Sequence, residues 1–316
     1  MRKGLIVIFL AVVLLGSQTA ALAWDDTGHM VVAYIAYTRL TPAARQRVDK
    51  LLVPPPPEPG VAYPDRGFIF YCDRNYDPVM IANWMDDLRS NSLSDPMKPW
   101  HFITYKPIFD GIPPRVIPVG KENVLSRVNW ALLMLERGKN FEKTASKDDD
   151  KENAEYLGYL IHLVGDMHQP LHCTTRFSKT HPDGDQGGNL FPIDTPRAKN
   201  LHSFWDAAGG LFDFEKVKRP PIGKLADQKE KIREYATMVM KAFPADENPD
   251  WKRVMLPAKW VKESNDAARS VGFNNIVEGA KPSDAYTAEA KQMASKRLAF
   301  AGYRIAELLN RIYGGL

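Results

Sequence analysis

The chain has 316 residues, 44% of them hydrophobic and 25% charged, with 42 Lys and Arg against 38 Asp and Glu and a formal net charge of +4. A chain of this size forms one large domain or two small ones and can bury a core without covalent staples. The small excess of positive charge is no basic footprint, so bulk charge neither argues for a nucleic-acid ligand nor excludes one, and the two cysteines exclude a four-cysteine zinc site.

Arg2 and Lys3 precede an almost unbroken apolar run over residues 5–15, and Ala21-Leu22-Ala23 supplies a small-x-small cleavage pattern. Together these read as a signal peptide at residues 1–23. The run is shorter than the about 20 residues a spanning helix needs, although an uncleaved anchor is the alternative. Cleavage after Ala23 is expected to leave a mature domain of residues 24–316 that begins Trp24-Asp25-Asp26, is secreted or periplasmic, and no longer touches the membrane. In an oxidising compartment Cys72 and Cys173 can pair, though their spacing does not dictate it.

Beyond the leader the periodicity is helical almost throughout. An amphipathic helix is predicted over residues 29–40, and Thr41-Pro42 caps a second one through Leu52. Residues 54–57 are consecutive prolines that end it. Asp77-Pro78 repeats the cap-and-proline start for a helix to about Arg89, and further helices are predicted over 123–137, 152–167, 226–243, 252–271 and 288–312. Residues 141–151 read as a charged, solvated linker. The longest irregular stretch, 173–200, contains a Gly187-Gly188-Asn189 turn. Its length and position suggest an active-site rim holding a short hairpin. Strand signals are otherwise sparse, and the expected fold is a single all-α domain.

Candidate chemistry lies in the seven histidines. His162 and Asp166, and again His202 and Asp206, are spaced His-x-x-x-Asp, which on a helix returns both side chains to one face. Imidazole nitrogen with carboxylate oxygen suits zinc, whereas hard cations prefer oxygen alone. His172 follows Pro170 where the chain can fold back toward His162. His101 sits in Trp100-His101-Phe102, and Asp86 follows Trp84-Met85. A single such pair is equally a surface ion pair or a satisfied core histidine. Two pairs with His172 between them favour a metal site.

The motifs Trp24-x4-His29, Trp84-Met85-Asp86, Trp100-His101-Phe102, His162-x3-Asp166-Met-His-Gln-Pro-Leu-His172, Gly187-Gly188-Asn189 and Asn200-Leu-His202-Ser-Phe-Trp-Asp206 resemble, in order, those of the zinc-dependent, single-strand-specific nucleases of the S1/P1 type. That family is similar in fold to bacterial zinc phospholipase C. The resemblance implies three Zn2+ ions. One would take the amine and carbonyl of Trp24 with His29 and the bridging Asp166. The second would take Asp86, His101, His162 and Asp166, and the third His172, His202 and Asp206. It also implies hydrolysis of single-stranded DNA and RNA at the 3′-O–P bond to 5′-phosphorylated products, 3′-nucleotidase activity, and a monomer. Asp86 and Asp166 would serve catalysis through the metals, and no side-chain nucleophile is assigned.

Arg89, one helical turn past Asp86, resembles the family's phosphate-contacting basic residue, which would bind substrate and serve catalysis with Asp86 and Asp166, though a surface arginine at a helix end looks the same. Phe102 resembles its base-stacking aromatic, worth about 1–3 kcal/mol per base, though plain core is the alternative. Thr104 stands where some fungal members carry a base-binding aspartate, so base preference does not transfer. His168 reads as structural or as support for a ligand, and His181 as solvated. A zinc phospholipase C and a non-catalytic zinc-binding protein are the alternatives. Against the former, only four residues separate Trp24 from His29, and the last carboxylate is aspartate where those lipases use glutamate.

Overall fold

The computed structural model describes residues 24–52, 78–89, 92–140, 147–212 and 226–315. Helix α1 (Asp26–Thr38) begins earlier than its apolar periodicity suggests, because Asp25 caps it with a side-chain oxygen 2.9 Å from the Gly28 amide. That cap draws His29 into the first turn. Residues 27–33 are buried without a break, so α1 is an interior helix rather than an amphipathic one. Helix α2 (Pro42–Leu52) has the predicted bounds, with the Thr41 hydroxyl 3.3 Å from the Ala44 amide.

Asp77 lies outside the described residues. After Pro78 the chain forms a 3-10 turn, Met80–Asn83, and then α3 (Trp84–Arg89), so the predicted helix is split between two geometries. A 3-10 segment, Ser92–His101, follows with Pro96 and Pro99 inside it. Helix α4 (Val124–Asn140) packs along α5 (Lys147–His168). Residues 147–151 therefore belong to α5 instead of a solvated linker, and Asp150 meets the buried Arg47 guanidinium at 2.8 Å.

Helices α6 (Leu201–Asp206), α7 (Ala226–Ala242), α8 (Asp250–Arg253), α9 (Pro257–Ala267) and α10 (Asp284–Tyr313) complete the chain. The helix predicted over 252–271 is broken because Pro257 has no N–H to continue it and instead opens α9. A π-turn, Ala268–Gly272, ends the segment. Ser283 caps α10 through the Tyr286 amide at 3.1 Å, which starts that helix before residue 288.

Helix α1 packs against α10 and α7, and α5 against α4 and α10, around one apolar core. A smaller core of Leu171, Phe191, Ile193, Leu201, Trp205 and Tyr286 lies beneath the 173–200 stretch. That stretch holds no hairpin. Its strand β2 (Arg176–Ser178) pairs in parallel with the distant β1 (Ile108–Asp110), and one antiparallel bridge joins Pro192 to Asn200. Among the described residues no helix is long and apolar enough to cross a membrane. Cys173 is a free, buried thiol whose pKa burial pushes up to about 12. Cys72 lies outside the described residues.

Candidate metal centre

Eight of the side chains singled out in the sequence are brought together from six segments. His29 comes from the first turn of α1, Asp86 from α3, and His101 from the end of the 3-10 segment. His162 and Asp166 come from α5, His172 from the 3-10 turn Pro170–Cys173, and His202 and Asp206 from α6. All eight are buried. Three groups have ligand atoms close enough to share an ion: His29, Asp86 and His162; His101, His162 and Asp166; and His172, His202 and Asp206.

Asp166, in the second group, is a hub that also reaches His29 of the first. Its oxygens stand 3.2 Å from His29 Nε2, 2.8 Å from His101 Nδ1 and 3.2 Å from His162 Nε2. Asp86 Oδ1 lies 3.7 Å from His162 Nε2 and 3.9 Å from His101 Nδ1. The His29 and His162 rings stack with centroids 4.1 Å apart. In the third group Asp206 is 3.7 Å from His172 Nε2 and 3.6 Å from His202 Nε2.

The outward nitrogens are locked by backbone carbonyls. His162 Nδ1 meets Ala82 O at 2.6 Å, His172 Nδ1 meets His101 O at 2.7 Å, and His202 Nδ1 meets Gly187 O at 2.7 Å. A carbonyl accepts only, so each Nδ1 carries a proton and each Nε2 is turned inward, where it offers a lone pair whenever the ring is neutral. Yet His172 Nε2 and His202 Nε2 are 3.1 Å apart. Two lone pairs facing at that distance repel unless a positive centre lies between them. Tetrahedral zinc with bonds of about 2.0–2.1 Å sets neighbouring donors roughly 3.3 Å apart, close to the spacings seen here. The donor set thus fits a metal, with carbonyls orienting each ring as in known sites.

Electrostatics point the same way. Burial pushes Asp166 up, but the His162 charge and contacts from His101, His162 and His29 hold it well below the usual carboxylate range. Burial likewise lowers His162, but Asp166 and Asp86 outweigh it and raise its pKa to about 9. His29 is lowered, by burial and then by His162. A protonated His162 supplies charge that a cation would replace.

The scaffold around the last turn of α5 is satisfied carbonyl by carbonyl. Trp24, fully buried, donates its indole N–H to Gly165 O at 2.9 Å. Ser264 and Cys173 donate to Met167 O, and Arg297 donates to His168 O at 3.1 Å. Arg297 and Arg304 both grip Glu263, with contacts of 2.7–2.8 Å. His168 is structural: Nδ1 donates to Val164 O at 2.7 Å and Nε2 accepts from Arg304 at 2.9 Å, while burial and the two arginines hold its pKa well down. His181 is only partly solvated. It meets Glu278 at 2.9 Å and is 16% exposed.

Phe102 is 43% exposed beside His101, which removes the plain-core alternative. Thr104 is engaged with the Thr175 hydroxyl at 3.0 Å. Arg89 closes α3, and its side chain lies outside the described part of the structure. The carbonyls of Ala82 and Gly187 have no one-letter signature as site groups, and the Trp24 indole and the Gln169 side chain, which donates to Asp206, lie inside the quoted motifs with no role that the sequence assigns to those groups. Only the Gly187-Gly188 turn signals a special backbone. A Cβ on Gly187 would lie 2.6 Å from Leu171 O, at a φ of +64° that favours glycine.

These features define a helical protein with a built, buried histidine–aspartate centre of metal-binding geometry. The S1/P1 Nuclease family model matches residues 24–314, and the chain belongs to that family. Among its relatives, Endonuclease 2 of Arabidopsis thaliana is 27% identical over 186 residues, covering 54% of this chain and 57% of that protein. Endonuclease 3 of the same plant is 26% identical over 312 residues, covering 93% and 90%. Nuclease P1 of Penicillium citrinum is 22% identical over 305 residues, covering 92% and 98%. With Endonucleases 2 and 4 the match spans 57% and 50% of the relative's length. These names do not favour the phospholipase alternative.

Proposed function

We propose that the chain is a zinc phosphodiesterase that cleaves single-stranded DNA and RNA at the 3′-O–P bond, leaves 5′-phosphorylated products, and acts as a 3′-nucleotidase. The observation that carries this reading is the inward-facing His172–His202 pair beside Asp206, next to the Asp166 hub, in a chain of the S1/P1 nuclease family. Trp24, His29 and Asp166 would hold one zinc; Asp86, His101, His162 and Asp166 a second; and His172, His202 and Asp206 a third. Zinc bound there would supply Lewis-acid polarisation of the phosphate and a water of lowered pKa.

The residues themselves bind and orient. Asp166 faces histidines on both sides through its two oxygens, which suits a bridging role. The carbonyls of Ala82, His101 and Gly187 hold the imidazole tautomers that leave lone pairs inward. Phe102, exposed beside His101, is the proposed platform for a splayed base, which disfavours duplex substrates because a stacked base must first leave the helix. Arg89 is the proposed phosphate contact.

Residues 1–23 act in this reading as a signal peptide, leaving one monomeric domain of residues 24–316 in the periplasm or the medium. Its cleavage frees the Trp24 amine, so export and activation coincide. Support comes from the family match beginning at Trp24 and from the burial of Trp24 against the ligand helix.

The test is to assay mature protein on single-stranded DNA, the matching duplex, a 3′-nucleotide and phosphatidylcholine, before and after chelation and zinc restoration. Single-strand cleavage lost with chelation and restored by zinc is expected. Lipid turnover without nucleic-acid cleavage, or cleavage indifferent to chelation, overturns the proposal.

A further inference from the structure

Gln169 lies between the two halves of the centre and is fully buried. It follows the last residue of α5 and caps the 3-10 turn Pro170–Cys173 that carries His172. Its side-chain oxygen accepts from the Leu171 amide at 2.5 Å, and its side-chain NH2 group donates to Asp206 Oδ1 at 2.7 Å. The first bond decides the orientation of the amide: an oxygen committed to an N–H leaves the NH2 group facing the carboxylate. The backbone N–H of Gln169 donates to Asp166 O at 3.0 Å, and its carbonyl accepts from the His172 amide at 3.2 Å. One residue therefore contacts Asp166, His172 and Asp206, on three separate elements.

The bond to Asp206 has a directional consequence. A carboxylate on a short helix can turn about its last bond, and a donor held in place at one oxygen opposes that turn. The Gln169 NH2 group is such a donor. With it in place, Asp206 Oδ1 stands 3.7 Å from His172 Nε2 and Oδ2 stands 3.6 Å from His202 Nε2, so the carboxylate addresses both rings. The bond also uses one lone pair of Oδ1 and leaves Oδ2 unshared with Gln169.

We propose that Gln169 is a positioning residue for the His172–His202–Asp206 group: its side-chain NH2 group sets the direction of the Asp206 carboxylate while its oxygen sets the turn that presents His172. The proposal rests on the reading of this group as a zinc site, and its test separates the two. Gln169→Glu keeps an oxygen for the Leu171 amide but replaces the donor with a second carboxylate oxygen facing Asp206. A residue that only caps the turn tolerates this exchange; one that positions Asp206 does not. Gln169→Met removes both bonds at similar volume and serves if the buried charge that Gln169→Glu introduces prevents folding.

The experiment measures zinc per chain after dialysis against graded chelator, with thermal unfolding of the metal-free proteins as the control for folding. Wild type is expected to hold three zinc ions. Gln169→Glu is expected to hold two with unchanged affinity and the third about 10–100-fold more weakly, the range typical for loss of a ligand's supporting contact. Gln169→Met is expected to show the same selective loss. Three zinc ions at wild-type affinity in either folded variant overturn the role of Gln169 and leave the metal reading standing. A wild type that holds no zinc overturns both.

Discussion

Gly165 sits in α5 between Val164 and the hub Asp166, and a side chain there would point at His29. A Cβ built on it lies 2.9 Å from His29 Nδ1 and 3.1 Å from His29 Cε1. Ordinary contact begins near 3.4 Å, so Gly165→Ala forces the imidazole back by about 0.5 Å. Two effects oppose each other in the metal-free protein. Alanine gains about 0.8–1.0 kcal/mol over glycine in a helix interior, whereas overpacking a dense core costs about 1–3 kcal/mol. The expected net is a loss of roughly 0–2 kcal/mol, small enough for the chain to fold. Metal binding is less forgiving, since ligand distances must hold within about 0.2 Å. His29 is 3.2 Å from Asp166 and stacks on His162, so it has no slack. Gly165→Ala should therefore unfold within a few degrees of wild type as apo-protein, yet lose the zinc that His29 shares while keeping the His172–His202–Asp206 ion. Calorimetry of apo-protein with zinc per chain by elemental analysis reads both. A full zinc complement at wild-type affinity would refute the claim that this glycine exists to admit the ligand.

Removing Glu263 strands two buried arginines. Glu263→Ala should cost about 3 kcal/mol, the low end for breaking a buried pair because Glu263 keeps a third of its surface in solvent, and urea unfolding that shows no loss would contradict the network. The Glu263 carboxyl is pushed up by burial but held below its ordinary value by Arg304 and Arg297. Its contribution is therefore present above the unfolded carboxyl range and lost as pH falls through the depressed folded value; Glu263→Gln should flatten that part of the acid limb. The raised pKa of His162, about 9, means the metal-free protein holds a proton there at neutral pH. Zinc must displace it, so apparent affinity should rise between about pH 6 and 9 with proton release; titration calorimetry giving the same heat in buffers of different ionisation enthalpy would contradict this. One extra residue ahead of Trp24 converts its amine to an amide and should remove one zinc and most activity, and unchanged zinc content would show that the amine is not a ligand.

Local features of the fold are legible in the sequence. Thr41-Pro42 starts α2, and the two His-x-x-x-Asp pairs sit on α5 and α6 as their spacing requires. Pro257 is visible as well, but the apolar period that runs across residues 252–271 masks the break it makes. What the periodicity does not contain is long-range. The parallel pairing of residues 108–110 with 176–178 depends on two segments leaving His101 and His172 side by side, with Ile103 N 2.8 Å from His172 O. The orientation of each imidazole depends on a backbone carbonyl, which every residue possesses and no letter marks. Likewise His168 reads in sequence like its neighbours His162 and His172. Only Arg304 and Val164, on either side of its ring, show that it is a strut and not a ligand.

The central claim is a zinc centre held by the freed amino terminus and the two histidine–aspartate clusters. Anomalous scattering at the zinc edge from crystals of the mature protein tests it most directly. Three peaks are predicted: one at Trp24, His29 and Asp166, one among Asp86, His101, His162 and Asp166, and one at His172, His202 and Asp206. Peaks absent from these groups, or zinc bound only at surface carboxylates, would contradict it.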